Sequence, residues 1–215
     1  MSVESEFLNF SAEKLTQLLE RIETCVDRLT PEQLWMRHSE NENAVGNLML
    51  HLAGNVRQWI LAGVGGAPDH RDRDGEFAAR TGAGAQELKA ELRSAVEEAV
   101  ALIRALPPQR LCETIRPQGY EGTVLAAIYH VVEHFAGHAF QIMFATKLLT
   151  GADLGFYATS TARRPIAKKF PRPCGAAFSG RSRLFSRLLR RRAEAQRQAR
   201  LPHVQKWTTE TLKMV

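Results

Sequence analysis

Apolar residues recur every three or four positions through four long stretches of this chain, and that spacing restricts it to helices packed on helices. The first stretch, residues 3–29, carries Phe7, Leu8, Leu15, Leu18, Leu19, Ile22, Cys25, Val26 and Leu29 on one stripe, with Ser2 as its expected cap. Thr30, Pro31 and Gln33 then supply a capping hydroxyl, a proline at the first position and a glutamine at the third, predicting a turn or two of helix that ends near Met36. A second long helix is expected from Ala44, capped by Asn43, to about Ala62, where Gly63, Gly65, Gly66 and Pro68 stop it. The loop GVGGAPDHRDRDGEF follows, then a third helix from about Ala85 to Leu106, ended by Pro107-Pro108. Leu111 to Tyr120 alternates weakly and reads as extended. Thr123 caps a fourth helix that runs to Leu149, with Gly151 placed as a C-terminal glycine. The expected fold is all-α, an antiparallel-leaning four-helix bundle. No phosphate loop or GxGxxG is present, so nucleotide-binding folds fit poorly.

Charge divides the chain in two. Residues 157–215 hold 15 Lys and Arg against Glu194 and Glu210, whereas residues 1–156 hold 14 basic and 21 acidic residues. The net charge of +6 is therefore the average of an acidic body and a basic tail, and it does not make the body a nucleic-acid binder. The expected organisation is a bundle over 1–157 and an Arg-rich extension over 158–215. The extension reads either as an arbitrary, disordered read-on or as a basic appendage. In the second case residues 181–200 would form a helix with Leu184, Phe185, Leu188 and Leu189 on one side, binding anionic surfaces without sequence specificity. Acids in MSVESEFLNF argue against a secretory signal, and no run reaches the roughly 18 apolar residues of a membrane span. Cys25, Cys112 and Cys174 lie far apart, a pattern that suits structural thiols in a reducing cytoplasm.

Chemistry concentrates in the histidines. His130, His134 and His138 share one face of the fourth helix, and His51 lies beside the apolar stripe of the second. Neighbours in the triplet are about 6 Å apart along the axis, but its ends are about 12 Å apart, too far for both to bind one ion. A single metal would thus take one adjacent pair, with His51 as the natural third ligand. The competing reading is that these are core histidines with ordinary hydrogen-bond partners. Phe135 follows His134, so this is not the HExxH of zinc proteases. Arg71, Asp72, Arg73 and Asp74 alternate in sign and read as a solvated, self-paired loop, or else as a mouth for an anionic substrate that Arg57 would join. Glu133 reads as a solvated residue, and Trp35 and Trp59 as core.

The segments NLMLHLAGNVRQWI (47–60), RDRDGEF (71–77), IYHVVEHFAGHAFQI (128–142) and LLTGADLGFY (148–157) occur in the order found in the DinB-like, or YfiT-like, superfamily of metal-dependent enzymes. The chain resembles a bacterial subfamily of it, of unknown function, over roughly residues 3–157. The resemblance implies an up-down-down-up bundle, often a homodimer, with one divalent ion on His51, His134 and His138. It places His130 and Gln141 beside the ligands, and Asn55 and Arg57 join them as weaker candidates for supporting the metal or contacting substrate. Phe140 stands where many relatives have glycine, which would narrow the site or shift the helix packing. Three imidazoles suit Zn²⁺ or Ni²⁺ and leave a position open. The activity implied is transfer of a low-molecular-weight thiol to a small electrophilic substrate. The alternatives are metal-dependent hydrolysis and a non-catalytic stress or binding protein of the same fold. No catalytic residue is assigned.

Overall fold

A computed structural model describes residues 2–156, and the expectations for the basic tail lie outside them. Six helices and one two-stranded ladder follow in order: α1 (Val3–Val26), α2 (Pro31–Leu34), α3 (Val45–Val56), α4 (Arg73–Ala78), α5 (Ala85–Ala105), β1 (Thr114–Ile115), β2 (Gly122–Thr123) and α6 (Val124–Thr150). α1 packs against α5 and α6, and α3 packs against the same two. The cross-helix pairs give the directions. Lys89 meets Asp27 at 2.5 Å while Arg93 meets Glu23, so α1 and α5 are antiparallel. Gln33, just beyond α1, donates to the Leu149 carbonyl near the end of α6, so α1 and α6 run together. Arg57 bonds Glu91 at 2.9 Å and Gly65 abuts Leu102, so α3 and α5 are parallel. The bundle is up-down-down-up, the order that the resemblance implied.

Local signals explain most of the helix ends. Ser2 accepts from the Ser5 amide at 3.2 Å, Thr30 and Gln33 exchange backbone bonds as a capping box, and Thr123 accepts from the Ala126 amide at 3.1 Å. Gly151 ends α6 at φ +65°, a left-handed conformation that costs glycine little. Leu15, Ile22, Leu52, Ile60, Leu92, Ile103, Val131, Phe135 and Ile142 are fully buried among the four helices.

Several expectations need correction. α1 stops at Val26 rather than Leu29. Ala44, not Asn43, stands at the start of α3, and the donor capped there is the Ala44 amide, bonded by Asn47 Oδ1 at 3.2 Å. The glycines do not end that helix at Ala62. It widens into a π-helix over Arg57–Val64, where Gly63 admits Pro117, whose Cβ would lie 2.8 Å from an added methyl. The loop after it is not all loop, because α4 forms within it, capped by Asp72. Residues 111–120 are extended only briefly. 3-10 turns at Pro108–Cys112 and Pro117–Gly119 flank β1, which pairs antiparallel with β2. Cys25 is buried as expected, whereas Cys112 is exposed. No helix among the described residues is long and apolar enough to cross a membrane.

Candidate metal centre

α3 and α6 run antiparallel and bring three histidines to one point. His51 Nε2 lies 3.1 Å from His134 Nε2, and His138 Nε2 lies 3.2 Å from the same atom. One ring nitrogen from each falls within 4.8 Å of the other two. The second nitrogens fix how the rings present themselves. His51 Nδ1 is 3.0 Å from the Glu76 carboxylate, and His138 Nδ1 is 2.7 Å from Gln141 Oε1. Glu76 and Gln141 Oε1 are acceptors and favour a proton on each Nδ1. Arg71 Nη2, also 3.0 Å from His51 Nδ1, has the Glu76 carboxylate and the His51 carbonyl to bond. With a proton on each Nδ1, both Nε2 lone pairs point at His134. Two lone pairs aimed at a third imidazole nitrogen leave at least one without a proton to accept, and a cation resolves that conflict. Metal–nitrogen bonds of about 2.1 Å imply nitrogen separations of about 3.4 Å in a tetrahedral set and about 3.0 Å in an octahedral one. The observed 3.1 and 3.2 Å fall between, so the donor set fits a divalent ion.

Around this cluster the structure distributes the other candidates unevenly. His130 is not in it: its ring lies against Trp59 at 4.2 Å and stacks on His134 at 5.7 Å. Trp59 packs on the core but also forms a platform for His130 and Tyr120, more than the sequence suggested. Asn55, one turn after His51, is buried, and its Oδ1 has no hydrogen-bond partner; neither does His134 Nδ1. Arg57 is taken up by Glu91, and Glu133 is exposed as expected. Phe140 is 54% exposed on the outer side of α6, so its ring does not narrow the site.

Sequence reasoning missed Glu76 and misjudged Arg71. Far from being solvated, the Arg71 side chain is 3% exposed and grips Glu76 through Nε (2.7 Å) and Nη2 (2.8 Å). The only prior signal was the match of RDRDGEF to the superfamily pattern. A cavity of ≈ 590 Å³ borders this pair, walled also by Arg57, Leu61, Pro68 and Glu91 but by none of the three histidines.

Burial disfavours charge on the two cluster histidines of α6. It pushes the His134 pKa down to about 3, and a proton there would also be repelled by the neighbouring titratable imidazoles and by Arg71. Burial also lowers His138, against a hydrogen bond to Gln141 that raises it. Neutral imidazoles are what a metal requires. In the unfolded chain histidine takes up a proton near pH 6.5, so unfolding is favoured as pH falls from there towards 3. The expected result is that the Tm of the metal-free protein drops across that window, and less so in His134→Gln. A Tm as flat as that of the variant would contradict it.

Comparison with known proteins places the bundle. Residues 2–163 match the family described as a protein of unknown function, DUF1572. The chain belongs to the DUF1572 family. A crystal structure of a conserved protein from Enterococcus faecalis is similar at 18% identity with a TM-score of 0.60, covering 71% of this chain and 99% of that one. At that identity the likeness concerns the fold alone. No curated protein matches the chain. What the DUF1572 assignment adds is a boundary, for it includes the whole described bundle and every residue of the histidine cluster.

Proposed function

We propose that this protein is a metal-dependent enzyme of the DinB-like superfamily that holds one Zn²⁺ or Ni²⁺ on His51, His134 and His138 and transfers a low-molecular-weight thiol to an electrophile. The observation that carries the reading is the convergence of three Nε2 atoms from two helices, two of them with lone pairs fixed by acceptors behind them. A divalent ion on three neutral ligands keeps its full charge, so when bound it favours the thiolate over the thiol. The chain's own residues then orient and exclude. Glu76 and Gln141 hold the outer histidines edge-on, and the Phe77 ring lies 4.6 Å from the His51 ring.

Transfer is favoured over hydrolysis by the fate of the carboxylate at the site. Hydrolysis would ask for a free base to take a proton from water. Glu76 is committed to Arg71 and to His51, and Glu133 is exposed without a bond to the cluster among those observed. A thiol arrives with an acidic proton of its own and needs less help. The test is to load the protein with Zn²⁺ or Ni²⁺, add low-molecular-weight thiols, and follow consumption of chlorodinitrobenzene. Turnover that requires both metal and thiol, with thiolate-to-nickel absorption in the Ni²⁺ form, is the expected result. The absence of both absorption and turnover with every thiol tried would refute thiol transfer.

A further inference from the structure

We infer that Glu76 is a positioning residue for the metal ligand His51, clamped by Arg71 and admitted to the site by Gly54. This rests on the metal reading above and adds to it the group that sets how tightly His51 holds the ion.

Three side chains form a closed relay: His51, Glu76 and Arg71 are 6%, 9% and 3% exposed. Glu76 Oε2 accepts a hydrogen bond from His51 Nδ1–H, which fixes the ring's tautomer and rotation and makes Nε2 the better ligand. Arg71 holds the same carboxylate with its fork, Nε to Oε1 and Nη2 to Oε2. Its Nη2 also lies 3.0 Å from His51 Nδ1, but its protons are directed to Glu76 Oε2 and to the His51 carbonyl at 3.4 Å. The guanidinium thereby compensates the buried carboxylate, which would otherwise be costly to keep ionised.

Gly54 makes the approach possible. It lies three residues after His51, on the same side of α3, and a Cβ there would sit 1.9 Å from Glu76 Oε1 and 2.9 Å from Arg71 Nε. No side-chain adjustment of a clamped pair absorbs such a clash, so any larger residue expels the carboxylate. The segment bearing Glu76 is also tied down from its backbone, by Asn47 at the Glu76 and Ala79 carbonyls and by Arg37 at Phe77. The other two histidines have nothing comparable. His138 has a neutral amide behind it, and His134 Nδ1 has no partner. Among the described residues, Glu76 is the one carboxylate bonded to the cluster.

A buried ion pair that serves folding alone would give a different result from one that tunes a ligand. The measurement is the dissociation constant for Co²⁺ and Zn²⁺, by competition with a chromophoric chelator, alongside the visible spectrum of bound Co²⁺ and the Tm of the metal-free chain. The variants are Glu76→Gln, Gly54→Ala and the double variant Arg71→Met with Glu76→Leu. Loss of an outer partner of this kind weakens metal binding by roughly 10–100-fold, and that loss with an altered Co²⁺ spectrum is expected for Glu76→Gln. Gly54→Ala should weaken binding in the same direction. The double variant replaces the ion pair by packed apolar groups, so its fold should be retained while its metal affinity stays low. Unchanged affinity in Glu76→Gln or in the double variant, with the wild type binding a full equivalent, overturns the role of Glu76 and leaves the metal site standing. A wild-type chain that binds none of these ions overturns the metal reading, and this inference with it.

Discussion

A single equivalent of divalent ion is expected to accompany the protein purified without chelator, and to be lost from His51→Ala, His134→Ala and His138→Ala but kept by His130→Ala. The contrast within α6 is what gives the result its force. His130, His134 and His138 are spaced identically along the helix, so a site built by sequence repetition alone could use either adjacent pair. The structure breaks the tie through α3. His51 reaches His134 Nε2, and His138 approaches that nitrogen from the next turn, while the His130 ring is turned onto Trp59. Removing one of three imidazoles leaves two donors, too few for a structural or catalytic ion of this kind. Removing His130 leaves all three donors and takes away only a ring stacked at 5.7 Å on His134. Metal analysis of the four variants, with circular dichroism to confirm their helices, decides the matter. Metal retained in His51→Ala, or lost in His130→Ala, would mean a different ligand set.

The histidine pattern was legible because helices turn spacing into position. Residues four apart share a face, and a cap such as Thr123 or Gly151 fixes where the face begins and ends. Helix direction was not readable from periodicity, which is indifferent to up and down; the resemblance supplied it, and pairs such as Lys89 with Asp27 now give it a physical basis. What escaped was anything joined through a loop. Glu76 lies 25 residues from His51, and nothing in its own vicinity marks it as buried. The alternating charges of Arg71 to Asp74 resemble a solvated stretch because each has a neighbour of opposite sign. In fact Asp72 caps α4, and Arg71 turns inward to Glu76. Gly54 held a clue. A glycine in the middle of a helix costs about 1 kcal/mol, and here its reason is the close approach of a carboxylate.

Asn47→Ala is expected to be the most damaging change outside the histidines, because one fully buried side chain joins three segments. Its Oδ1 accepts from the Ala44 amide at 3.2 Å and from Arg37 at 2.6 Å, and its Nδ2 donates to the carbonyls of Glu76 at 2.8 Å and Ala79 at 2.9 Å. Alanine cannot replace any of the four bonds. Arg37 still reaches Ala79 at 3.3 Å, but the Glu76 carbonyl loses the donor that Asn47 supplied, and Arg37, whose Nε is already unpartnered, loses an acceptor. Each buried group left unsatisfied costs about 1–3 kcal/mol, so a total of roughly 3–5 kcal/mol is expected. For a chain of this size each kcal/mol lowers Tm by about 2–4 °C, which places the drop at roughly 6–20 °C. Asn47→Asp should do no better, since a carboxylate keeps the acceptors and sets negative charge against two carbonyls. Gln141→Ala is the counterpart on the other ligand: an exposed side chain with a bond to His138, whose loss should leave Tm nearly unchanged. Thermal unfolding of the metal-free proteins separates the two. An Asn47→Ala variant as stable as the wild type would show that the segment from Arg71 to Ala79 is held in place by the bonds of Glu76 to His51 and of Arg71 to the His51 carbonyl and Gln58, and that the backbone bonds to Asn47 add little.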